Sequence, residues 1–137
     1  MRIDFIKGVG SMEQSVGKAQ VILVVMISVV CVSVGETLLA AGMRAVGRGG
    51  YDGPRFLVAA LSSWHVWVGT VLMLAFFVLY ALTLAWADLS FVLPLTAVSY
   101  ITGAIFAQAF LHEPVSLTRW VGTILITLGV VVVGKGG

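Results

Sequence analysis

The chain has 137 residues, 60% of them hydrophobic and only 10% charged. Soluble domains carry about 25% charged residues, so this composition excludes a water-soluble globule and predicts an all-α integral membrane protein. A net charge of +2 gives no basis for nucleic-acid binding, and the continuous apolar runs, which lack polar alternation, exclude a membrane β-barrel.

Residues 1–18 mix Arg2, Asp4, Lys7, Glu13 and Lys18 with glycines. No small-residue cleavage site follows them, so they read as a short N-terminal tail, with an interfacial helix as one form and Met12 as an alternative start. Residues 19–137 form the second unit, a four-helix transmembrane domain. About 20 apolar residues are what a helix needs to cross a bilayer. The first span covers about 19–43, between Lys18 and Arg44. A loop over 44–63 follows, with Arg44, Arg48, Arg55 and the turn Asp52-Gly53-Pro54, and with a short helix from Phe56 to Leu61. The second span covers about 64–87, with Trp64, Trp67 and Trp86 near its ends, where amphipathic aromatics favour the membrane interface.

A tight turn at Asp88 leads to the third span, about 89–111. The polar corner Leu111-His112-Glu113-Pro114-Val115-Ser116 separates it from the fourth, about 117–134. Pro114 stops the third helix, because its ring removes a donor and disfavours a helical Glu113. Four spans put both termini on one side. The two sides carry four cations each; discounting the distant Arg2 and Lys7 leaves two against four, a weak bias towards cytoplasmic first and third loops.

Membrane helices pack through small residues. Gly122 and Gly129 stand seven apart, close to two turns, and form a stripe assigned to a subunit interface. Ser99, Gly103 and Ala107 make a second ridge, and Ser33, Thr37 and Ala41 a third. Pro94 predicts a kink in the third span, followed by a mildly polar face of Thr96, Ser99, Tyr100 and Gln108 that either lines a cavity or bonds back to its own helix.

Glu36 is the carboxylate set well inside a span, eight residues and about 12 Å from Arg44 along the helix. A charge at that depth is a functional candidate by default. Three roles are open to it: binding an amine or cation, carrying a proton, or pairing with Arg44 or a polar group of another helix. Arg44, Arg48 and Arg55 are candidates for phosphate, since guanidinium matches phosphate oxygens; their plainer role is topology. Arg119 suits an interface anchor, and His65 and His112 sit at span ends within reach of water. The lone Cys31 forms no internal disulfide and reads as a small buried residue. No metal-ligand cluster and no phosphate-cradling glycine loop appears in the sequence, so no cofactor, no metal and no enzymatic activity is expected.

Several of these motifs together carry a resemblance. Pro94, the corner from Leu111 to Ser116, Arg119-Trp120-Val121-Gly122 and Leu128-Gly129-Val130 resemble the small four-span members of the drug/metabolite transporter (EamA-like) superfamily. The corner followed by a Trp-x-Gly helix start resembles the subunits of the undecaprenyl-phosphate aminoarabinose flippase. Gly35-Glu36-Thr37-Leu38-Leu39 is similar to that family's stretch in the first span, where a Gln often stands in place of Glu36. The small multidrug-resistance exporters are relatives whose glycine stripe is matched by Gly122 and Gly129. Their membrane carboxylate falls one turn earlier, around Val32, which counts against a proton-coupled cation exporter here.

The resemblance implies four helices used as a dimer, with an identical or a similar chain, in the bacterial inner membrane. It implies transport of a polyprenyl-phosphate-linked sugar or a similar amphipathic anionic lipid. The head group would enter a cleft lined by Glu36, Thr96, Ser99, Tyr100 and Gln108, with Arg44, Arg48 or Arg55 on the phosphate. A proton-coupled exporter and a non-transporting accessory subunit are the alternatives.

Overall fold

The computed structural model describes Asp4 and residues 17–136. The expected interfacial helix in the N-terminal tail lies outside the described residues. Residues 17–136 fold into six helices joined by short connections: α1 (Lys18–Arg48), α2 (Pro54–Leu61), α3 (Trp64–Trp86), α4 (Leu89–Thr96), α5 (Ser99–Phe110) and α6 (Leu117–Gly136). Four segments are long and apolar enough to span a membrane: α1, α3, the α4–α5 pair and α6. The protein is a multi-pass membrane protein.

The first span is longer than its apolar run. Arg44 and Arg48 belong to α1 and not to a loop, because nothing in the sequence breaks the helix before Gly49-Gly50. Gly50 takes a positive φ of 68°, which glycine adopts at little cost. At about 1.5 Å per residue, 31 residues reach roughly 46 Å, well beyond the ~30 Å hydrocarbon core, so α1 tilts, projects, or does both. Gly53, also at positive φ, then turns the chain into α2, whose first residue is Pro54.

α1 is the centre of the bundle. Val21, Val25 and Val29 on it bury against Val92, Leu95 and Val130. On another face, α1 meets α3 almost backbone to backbone at Gly35 and Gly69. A Cβ added to Gly69 would stand 2.7 Å from the Gly35 carbonyl oxygen. One added to Gly42 would stand 3.0 Å from His65 Cβ. Close approach of this kind brings long stretches of two apolar helices into van der Waals contact, which is what holds helices together in lipid. α5 is tied to α1 by Ser33 and Thr102, whose hydroxyls lie 2.5 Å apart.

The third span is two helices and not one. Pro94 lacks the donor for the preceding turn, and the chain tightens after it: Ala97 N–H donates to Pro94 O at 3.0 Å and Val98 N–H to Leu95 O at 3.2 Å. These three-residue steps part α4 from α5 at Ala97-Val98. α5 ends where His112 adopts a left-handed φ of 51° and Glu113 N–H returns six residues to Ala107 O at 3.1 Å, with Pro114 directly after it.

Candidate functional site

α1 and α6 stand apart over most of their length. Both pack on the third span, and the gap between them is a cleft of about 800 Å³. Glu36 enters it from α1. Thr96, Ser99, Tyr100, Gly103 and Ala107 form its floor from α4 and α5, and Arg119, Gly122 and Thr123 close the α6 side. The small-residue ridge Ser99, Gly103, Ala107 therefore faces this space and not a neighbouring helix; a Cβ on Gly103 would meet nothing within 4 Å.

A polar link bridges each end of the cleft. At the terminal end, Lys18 Nζ donates to Gly134 O at 3.5 Å. At the other, Arg44 Nη2 donates to Glu113 Oε1, joining α1 to the corner before α6. Glu113 thus does two things. Its backbone closes α5, and its carboxylate holds the end of α1 while lining the cleft. Glu36 lies between the two links with its side chain exposed to the cleft and no hydrogen-bond partner among the described residues.

The sequence-derived candidates divide. Glu36, Thr96, Ser99 and Tyr100 come together in the cleft. The Thr96 hydroxyl also bonds back to Leu93 O at 2.6 Å, so part of the polar face serves its own helix. Gln108 is exposed and is not part of the lining. The three arginines expected to act together separate. Arg44 is taken by Glu113, Arg48 is exposed beyond the cleft, and Arg55 lines a different cavity beside α2. Arg119, read from the sequence as an anchor, is the guanidinium in the cleft, and it has no ion-pair partner among the described residues. The sequence did carry one signal for it: Arg119 falls one turn after the corner, so the helix start turns it towards Glu113.

Gly122 borders the cleft and Gly129 lies exposed further along α6. A Cβ on either meets nothing within 4 Å, so their stripe has no partner among the described residues.

The Arg44–Glu113 pair is partly open to solvent, with side-chain exposures of 42% and 28%, so screening limits its worth to about 1 kcal/mol or less. Arg44→Ala is expected to lower thermal stability only slightly. Arg44→Glu alone should lower it further, and combination with Glu113→Arg should recover most of the loss. Melting temperatures of the four proteins at low and high salt measure this; a double variant no better than Arg44→Glu would contradict the pairing.

No curated protein and no solved structure matches the chain. The EamA-like transporter family matches residues 51–135, which run from the approach to α2 through α6 and include the whole floor and far wall of the cleft. Four apolar helices agree with that match, and the chain belongs to the EamA-like transporter family.

Proposed function

We propose that this transporter moves an amphipathic lipid with an anionic head group, of the polyprenyl-phosphate-linked sugar class, across the bacterial inner membrane. The observation that carries the reading is the cleft itself: it joins a carboxylate far along a span, Glu36, to a guanidinium near the corner, Arg119, beside helices that face lipid. A head group would lie between Glu36 and Tyr100. Its phosphate would meet Arg119, with Arg44 reaching it by releasing Glu113. The prenyl chain would stay among the acyl chains, which spares it any transfer from lipid.

A second chain, identical or similar, fits this reading. Glu36 and Tyr100 are exposed in the single chain, and an ionisable group inside a membrane normally faces protein or water. The Gly122–Gly129 stripe beside the cleft offers a close-packing seam for that partner. Rocking of the two chains about this seam would expose the cleft alternately to the two sides. A second reading, a proton-coupled exporter of cations, is favoured by one fact only: Glu36 has no hydrogen-bond or ion-pair partner among the described residues.

Proteoliposomes containing a fluorescent polyprenyl-phosphate sugar test the proposal. Wild type is expected to move the probe between leaflets faster than protein-free vesicles do, and Arg119→Gln to slow that movement. No acceleration by wild type, alone or mixed with a similar chain, would sink it.

A further inference from the structure

We propose a second binding site, separate from the cleft, in which α2 and the end of α1 seat the head group of an anionic membrane phospholipid with Arg55 on its phosphate. The site is a cavity of about 680 Å³ whose lining includes Ala45 and Val46 of α1, Tyr51 of the loop, Arg55 and Val58 of α2, and Ser63. It shares no lining residue with the cleft.

The depth of α2 identifies what lies outside it. Trp64 and Trp67 begin α3, at the level where aromatics meet the bilayer interface. Leu57, Val58 and Leu61 are 63%, 65% and 61% exposed, as open as Leu74 and Phe77 in the middle of α3 at 60% and 64%. α3 is long and apolar enough to span a membrane, where such exposed side chains meet acyl chains. α2 carries the same apolar surface and a single charge, Arg55, which is the pattern of a helix lying in the interface. It is also held in place: Trp67 Nε1 donates to Leu61 O at 2.6 Å, fixing the end of α2 to α3. The apolar side chains are therefore presented outwards by a braced element.

Charge selects the head group. Arg48 and Arg55 have no ion-pair partner among the described residues, and Asp52, the carboxylate of the same loop, pairs with neither. Arg44, the nearest other cation on α1, is occupied by Glu113. A guanidinium beside a concave apolar wall, at head-group depth, matches a phosphodiester whose acyl chains run down past Val58.

The test uses the full chain in micelles with added phosphatidylglycerol, phosphatidylcholine or inorganic phosphate, read as melting temperature and as lipid retained in native mass spectrometry. Phosphatidylglycerol is expected to raise the melting temperature, and the other two additions are not. Arg55→Gln should lose most of that rise, and Arg119→Gln should keep it. In mass spectrometry Arg55→Lys should retain less phosphatidylglycerol than wild type, because a point ammonium replaces a planar fork. The site is refuted by an unchanged rise in Arg55→Gln, by a rise lost in Arg119→Gln, by equal retention in Arg55→Lys, or by phosphatidylcholine or phosphate acting as well as phosphatidylglycerol.

Discussion

Gly69→Val is expected to prevent α1 and α3 from docking, and Gly69→Ala to lower the melting temperature measurably. The added Cβ would stand 2.7 Å from Gly35 O, 3.0 Å from Leu39 N and 3.3 Å from Leu39 Cα. All three are backbone atoms of α1, so no side-chain rotation relieves the contact. The helices must separate, and separation loosens the whole α1–α3 seam, because contacts in packed interfaces fall off steeply with distance. Overpacking of this kind costs about 1–3 kcal/mol. Against it stands the gain of ~1 kcal/mol when Ala replaces Gly in a helix, so Gly69→Ala is the milder variant and Gly69→Val the decisive one. Gly134→Ala is the control, since its Cβ meets nothing within 4 Å. Thermal unfolding followed by the fluorescence of the four tryptophans measures all three. A Gly69→Val protein with the wild-type melting temperature would show that the crossing is not held at this point.

Gly69 also marks a limit of sequence reading. The four spans are legible because lipid imposes one requirement, a continuous apolar run with its backbone bonds satisfied internally. Pro94 and Pro114 are legible because a missing donor acts locally. What escapes is contact between distant segments. Gly69 lies in a long apolar run with no ridge of small residues around it, and only the opposing Gly35 gives it meaning. Arg44 and Glu113 are 69 residues apart, so neither shows the other in the sequence. Gln108 fails for a simpler reason. Eight residues exceed two helical turns by nearly one residue, which rotates Gln108 by roughly 80° from Tyr100 and off the cleft face. Arg44, Arg48 and Arg55 looked like one cluster because they are near in the chain. The unbroken helix carries Arg48 about 6 Å beyond Arg44, and the Gly53 turn sends Arg55 to another face.

If the cleft binds substrate as proposed, its chemistry turns on Glu36, and substitution there gives the largest functional effect expected. Glu36→Ala should cut transport by about 10- to 100-fold, since a hydrogen bond to a charged group is worth about 1.5–3 kcal/mol and each ~1.4 kcal/mol is a factor of ten. Little of this should come from misfolding: Glu36 is exposed to the cleft and has no partner among the described residues, so removing it leaves no group unpaired. An unchanged melting temperature with reduced transport would separate the two. Glu36→Gln then divides the proposals. If Glu36 only accepts hydrogen bonds from a sugar head group, the amide keeps an acceptor oxygen and a fair share of the activity. If Glu36 carries the proton of an exporter, Gln abolishes coupled transport as completely as Ala, and any dependence of cation binding on pH disappears with it. Rates across pH for wild type, Glu36→Gln and Glu36→Ala in the same vesicles decide the matter. Wild-type rates in both variants would remove Glu36 from the site. Because the family match begins at Tyr51, this carboxylate lies outside the matched segment, and the experiment tests what α1 adds to it.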